Sequence, residues 1–297
     1  MSTTRTSPSR GPGSPEVTGF YEKDTGSIQY VVADPATKKA AIIDAVWDFD
    51  PKHARTSTKS ADEILAFVKE RGLTVEWILD THPHADHVMA AAYLKDALGA
   101  PQAIGDKVLE IAELWSGFYN MHGVFDPRRD FDRLFADGDT FRIGDIDARV
   151  MLSPGHTLGS ITYVIGDAAF VHDTLMVPDS GTSRADFPGG DAAVLYRSIQ
   201  QILALPDDTR LFVGHDYCQG GREPMWEATV AEHKRDNKHL KGGVSEAEFV
   251  KVREERDRTL PLPDRMLHAL QINLRGGRLP APEADGNAYL KIPANRF

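Results

Sequence analysis

Apolar residues in this chain fall into short runs cut by polar turns, interleaved with longer segments whose apolar positions recur at helical spacing. Residues 20–22, 27–33 and 39–44 read as three strands, with Asp34-Pro35-Ala36-Thr37 supplying the turn between the last two. Ser60 and Glu63 stand at capping-box spacing before the apolar stripe Ile64, Leu65, Phe67 and Val68, and Gly72 can end that helix. A buried strand follows over 75–80, then a helix with Ala90, Leu94 and Leu98 on one face. Over 100–139 only 107–119 looks helical, and the segment reads as an excursion over the site described below. A second set of strands is expected at 140–143, 148–152, 160–165 and 169–171.

Asp191 caps a helix striped by Val194, Leu195, Ile199, Ile202 and Leu203 and stopped by Pro206, and 210–213 is a short strand. Helices are expected over 222–240 and over 245–258, the latter opened by Ser245 and Glu248. The charged run 253–258 reads as a solvated face. Two strand-rich halves, each followed by helices, predict an α+β fold of paired sheets with helices outside. The domain is expected to be single, 16–297 with a C-terminal helical extension, preceded by a disordered tail over 1–15 that is rich in Ser, Thr, Pro and Gly.

Composition narrows the function. With 44 acidic against 34 basic side chains the net charge is −10, which opposes nucleic-acid and anionic-membrane partners. The single cysteine, Cys218, excludes an internal disulfide framework and points to a reducing, cytoplasmic setting; it is expected to be a buried, inert thiol.

The chemistry concentrates at Thr81-His82-Pro83-His84-Ala85-Asp86-His87, between the strand over 75–80 and the helix after it. In an extended segment His82 and His84 share a face, while Asp86 and His87 sit at the turn into the helix, a pattern that suits metal ligation. His156, Asp173 and His215 each end a strand or enter a turn, so a sheet edge can gather them with the first cluster. His172 beside Asp173 is expected, from strand alternation, to point away from the metal and either to pack or to support a ligand from behind.

This set, His82-x-His84-x-Asp86-His87 with later His156, Asp173 and His215, resembles the metallo-β-lactamase superfamily over residues 19–217. The resemblance implies an αββα sandwich and two metal positions: His82, His84 and His156 at one, Asp86, His87 and His215 at the other, Asp173 bridging. Gly181-Thr182-Ser183-Arg184-Ala185-Asp186-Phe187, Leu195-Tyr196-Arg197-Ser198-Ile199 and Gly214-His215-Asp216-Tyr217 look like the persulfide dioxygenases. In that branch a single Fe(II) is held by the equivalents of His82, His156 and Asp173. Two imidazoles and a carboxylate on one face of iron suit a non-haem oxygenase.

Glutathione persulfide and O₂ would then be the substrates, with sulfite and glutathione as products. The resemblance makes Arg184, Asp186 and Tyr217 candidate catalytic residues, Asp186 by orienting a ligand, and makes Arg184, Tyr217 and Arg222 candidates for the tripeptide carboxylates. The glyoxalase II enzymes are similar around the metals, and imply instead two Zn ions and hydrolysis of a thioester. A non-enzymatic binding role is the third possibility. The 100–139 excursion and the C-terminal region are candidates for a pocket wall or a homodimer interface.

Overall fold

The computed structural model describes residues 3–297. A seven-stranded sheet runs in the order β1 (Thr3–Ser7), β2 (Glu16–Tyr21), β3 (Ile28–Ala33), β4 (Lys39–Ile43), β7 (Thr74–Leu79), β9 (Gln102–Gly105), β10 (Arg133–Phe135). It is antiparallel up to β4 and parallel from β4 to β10. A six-stranded sheet orders β11 (Thr140–Ile143), β12 (Ile146–Leu152), β13 (Ile161–Ile165), β14 (Ala168–His172), β15 (Arg210–Val213) and β16 (Glu227–Thr229). The third sheet is small: β6 (Arg55–Ser57), β5 (Val46–Asp50), β8 (Val88–Met89).

Alternation along the strands decides what lies between the two large sheets. Tyr30, Val32, Ala41 and Ile43 from one face Val150, Tyr163, Ile165, Phe170 and Phe212 from the other in a single buried cluster. The opposite face of the first sheet, with Val31, Ala40, Ile42 and Ile78, is covered by α1 (Lys59–Arg71) and α2 (Ala91–Leu98) through Ile64, Val68 and Leu94. The second sheet is covered by α5 (Ala192–Leu203), which contributes Leu195, Ile199 and Ile202. Layers therefore run helix, sheet, sheet, helix, the αββα arrangement expected. The remaining helices are α3 (Val108–Tyr119), α4 (Pro127–Asp130), α6 (Val230–Asp236), α7 (Glu246–Asp257) and α8 (Met266–Asn273).

Several expectations are corrected. The described part of the N-terminal segment is not a disordered tail: β1 pairs antiparallel with β2, and buried Arg210 donates to Pro15 O at 2.9 Å and to Ser14 Oγ at 3.1 Å while pairing with Asp167 at 2.7 Å. Residues 1 and 2 lie outside the described residues. The expected helix over 222–240 is shortened to α6, because residues 227–229 join the second sheet against 210–212. In the 100–139 segment α3 forms, yet β9 and β10 extend the first sheet instead of lying over the site. The Ser60 capping box does not form, since Ser60 Oγ donates to Asp48 Oδ1 at 2.7 Å and its N–H to Oδ2 at 2.9 Å. The Ser245–Glu248 box does form.

Arg210 fastens the segment between β1 and β2 to the second sheet. Arg210→Met should lower the unfolding free energy in urea by about 2 kcal/mol, the loss of charge-assisted hydrogen bonds, and make residues 3–14 more readily cleaved by protease.

Candidate metal centre

The loop after β7 is shaped by groups that are not themselves candidate ligands. Asp44, in a left-handed conformation (φ 51°), accepts from Thr81 N–H at 2.8 Å and from Thr81 Oγ1 at 2.9 Å, and lies 3.1 Å from His84 Nε2. From below, Asn273 of α8 donates to His84 O at 2.7 Å and His87 O at 2.9 Å and accepts from Met89 N–H at 2.8 Å. With its backbone held at both ends the loop can point side chains inward. His82 Nε2, His84 Nδ1 and His87 Nε2 are buried with no hydrogen-bond partner. Buried polar atoms are seldom left unpaired, and partnerless imidazole nitrogens facing a common space are what a cation site requires.

Three further loops converge on this one. His156 follows β12; its Nδ1–H donates to Arg184 O at 2.8 Å, which leaves Nε2 as a free lone pair. Asp173 follows β14, and its Oδ2 lies 3.8 Å from His82 Nε2 and 3.7 Å from His156 Nε2. Gly214, where a Cβ would stand 2.8 Å from Asp173 Oδ1, lets the end of β15 approach closely. His215 then places Nδ1 2.6 Å from Asp173 Oδ1 and Nε2 2.6 Å from Asp86 Oδ2. Ligand atoms of His82, His84 and Asp173 lie within 4.8 Å of one another, as do those of His84, Asp86 and His87, and those of Asp86, Asp173 and His215. All seven candidate ligands thus meet at one edge of the sandwich.

Electrostatics separate the two halves. Burial, reinforced by His84, His172 and His156, holds His82 well below the ordinary histidine range, so its ring is a neutral donor to a metal. Burial opposes the charge on His215 too, but Asp173 and Asp86 outweigh it and raise that ring well above the usual value. Asp173, despite burial, is kept ionised by His215. One half therefore presents two neutral nitrogens and an anionic oxygen, while in the other His215 bridges two carboxylates as a cation. The first set fits a divalent ion such as iron(II).

The sequence profile of the metallo-beta-lactamase superfamily matches residues 25–215. This chain belongs to the metallo-beta-lactamase superfamily. A Xylella fastidiosa "beta-lactamase hydrolase-like protein" is 60% identical over 95% of the chain, which spans 65% of that relative's length. "Glyoxylase B2" of Dictyostelium discoideum is 42% identical, covering 93% of this chain and 96% of the relative. The human mitochondrial persulfide dioxygenase ETHE1 is 29% identical, with 87% of each chain covered. The crystal structure of ETHE1 from Myxococcus xanthus superposes with a TM-score of 0.70 at 30% identity, covering 88% of this chain and 98% of that one.

Around this superfamily centre the other candidate residues take unexpected parts. Arg184 is bound by Asp186 at 2.6 and 2.8 Å, donates to Pro261 O at 2.6 Å and lies over Phe187. Each guanidinium nitrogen makes one hydrogen bond, and its backbone carbonyl accepts from His156 Nδ1. Asp186 holds Arg184, so any influence it has on a candidate ligand runs through that residue to His156. Arg222, expected to be available for a substrate carboxylate, grips Asp179 and fully buried Asp216, which would otherwise be an uncompensated charge. Tyr217 is exposed and stacks on His215 with ring centroids 5.9 Å apart, so its phenol borders the centre from the solvent side. His172, expected to pack or to back a ligand, packs its ring 5.0 Å from that of His82, with Nε2 2.9 Å from Thr174 Oγ1. Cys218 is half-buried, with Sγ 3.5 Å from Tyr21 Oη.

The supports that sequence reasoning missed lie C-terminal to the superfamily match. Arg253 and Asp257, expected on a solvated face, are buried and paired at 2.7 Å. Arg253 donates to Thr182 O at 2.9 Å, and Asp257 accepts from Ala185 N–H at 2.9 Å, so both ends of the segment that orients His156 are tied to α7. Their i,i+4 spacing with Phe249, also buried, was the available signal. Asn273 carried none.

Asn273→Ala should cost at least about 2 kcal/mol in chemical denaturation, because buried carbonyls lose their donors, and should weaken metal retention by ~10–100-fold in a chelator competition. His239 supplies a pH test: its Nδ1 accepts from Thr182 N–H at 3.0 Å, and burial, aided by Arg253 and Lys238, lowers it to about 4. A neutral folded imidazole contributes stability that is complete above the unfolded value of about 6.5 and lost as pH falls toward the folded one. Wild type should therefore lose stability between those limits more steeply than His239→Gln, as read by urea unfolding across pH.

Proposed function

We propose that this chain is a persulfide dioxygenase that holds one iron(II) at His82, His156 and Asp173 and converts glutathione persulfide, O₂ and water to glutathione and sulfite. The observation that carries the reading is the first ligand set: Asp173 Oδ2 lies 3.8 Å from His82 Nε2 and 3.7 Å from His156 Nε2, two imidazoles kept neutral by burial and one carboxylate around one space. Similarity to the human persulfide dioxygenase and to the Myxococcus structure supports the same choice. Two nitrogens and one oxygen on one side of iron leave positions for a substrate sulfur and for O₂, and the bound ion would supply the electron transfer that lets O₂ react with a closed-shell sulfur.

What the chain itself does is hold that ligand set rigid. Thr81 Oγ1, 3.0 Å from His82 Nδ1, and Arg184 O at His156 Nδ1 fix both rings by their far nitrogens. His215 keeps Asp173 ionised and turned so that Oδ1 faces the imidazolium and Oδ2 faces the two neutral rings. Phe187, with its ring 5.3 Å from that of His156, lines one side with an apolar wall that keeps water from the rings. Tyr217 is the exposed side chain placed to meet the substrate from solvent.

A second reading, hydrolysis of a thioester at two zinc ions, is favoured by the partnerless Nε2 of His87 and by the similarity to Glyoxylase B2. Elemental analysis of protein purified without added metal, together with oxygen-electrode assays, separates the two. The expected result is one iron per chain and O₂ uptake with glutathione persulfide that falls below about one hundredth in His156→Ala, a loss exceeding that of outer supports. Two zinc ions per chain with S-lactoylglutathione turnover and no O₂ uptake would overturn it.

A further inference from the structure

We infer that Ser27 sets the metal count of this centre at one, its hydroxyl filling the space that a second cation would take between Asp86, His87 and His215. The inference deepens the one-metal reading above and rests on it. Ser27 is 1% exposed. Its Oγ lies 2.9 Å from His215 Nε2, 3.2 Å from Asp86 Oδ2 and 3.2 Å from His87 Nδ1, so a single oxygen touches all three side chains of the second superfamily position.

Distances decide between a hydroxyl and an ion there. Zinc binds nitrogen and oxygen donors at about 2.0–2.2 Å, which in a tetrahedral site separates two ligand atoms by roughly 3.3 Å. Asp86 Oδ2 and His215 Nε2 are 2.6 Å apart, a direct charge-assisted hydrogen bond. The three side chains are spaced for hydrogen bonds to the serine and to one another.

The hydroxyl is held in place by its own turn. Ser27 bridges to His215 in antiparallel register, and Ile28 N–H donates to Gly214 O at 2.8 Å. Glu22 N–H donates to Ser27 O at 2.8 Å, and the Glu22 carboxylate accepts from Asp24 N–H at 2.7 Å and Thr25 N–H at 2.9 Å. Thr25 Oγ1, 2.7 Å from Ser27 Oγ, backs the hydroxyl against the histidines. Removing this one oxygen leaves a polar space lined by a carboxylate and two imidazoles, which suits a divalent ion.

The test is calorimetric titration of the metal-stripped full chain with Zn²⁺. Wild type and Ser27→Thr, which keeps the hydroxyl, should take one equivalent; Ser27→Ala and Ser27→Gly should take two. Two equivalents in wild type, or one in a folded Ser27→Ala, overturns the inference. So does failure of both small variants to fold, since Ser27 would then be required by the fold and not by the metal count. Oxygen uptake is scored separately: one equivalent without O₂ consumption defeats the dioxygenase reading and leaves Ser27 standing, whereas O₂ consumption with one equivalent in Ser27→Ala does the reverse.

Discussion

Imidazole nitrogens buried without partners are costly, and the rest of this molecule is arranged so that they stay buried and stay aimed at a common space. Every ligand loop leaves the same edge of the αββα sandwich, and those carrying His84 and His156 are fixed by hydrogen bonds at the backbone or at the ring nitrogen turned away from the common space. The asymmetry between the two halves follows from a single ring. His215, flanked by Asp173 and Asp86, gains more from two carboxylates than burial costs its charge, and it keeps Asp173 ionised for the first position.

The C-terminal helices are part of the centre and not an appendage to it. Asn273 reaches the first ligand loop, and the Arg253–Asp257 pair reaches the segment whose carbonyl orients His156. A buried ion pair gives little net stability unless its remaining hydrogen bonds are made, and here Thr182 and Ala185 make them. Its effect falls on the position of residues 182–185. The Arg184–Asp186 pair acts in the same way, by closing the loop on itself and on Pro261.

Much of this was legible in the sequence, for reasons of range. The His82–His87 cluster packs its ligands into one short loop, and His156, Asp173 and His215 each stand at the end of an apolar run, so local pattern pointed to them. The sandwich followed from strand alternation, and α5 and α7 from Asp191 and Ser245 caps that formed. What stayed hidden depends on distant partners. β1 pairs with β2 while Arg210 holds the segment that joins them, residues 227–229 become a strand because β15 offers an edge, and Asn273 contacts loops nearly two hundred positions away. Arg253 and Asp257 read as surface charge because only the folded chain shows Thr182 and Ala185 above them. Arg222 read as free because Asp179 and Asp216 are set by separate loops.

The claim on which everything turns is that one position is open to a metal and the other is closed by hydrogen bonds. Anomalous diffraction from a crystal grown with the protein's own metal, collected at the iron and zinc edges, tests it directly. The account predicts one peak, at about 2.0–2.2 Å from His82 Nε2, His156 Nε2 and an Asp173 oxygen, with Asp86 still bonded to His215. A second peak among Asp86, His87 and His215 would contradict it.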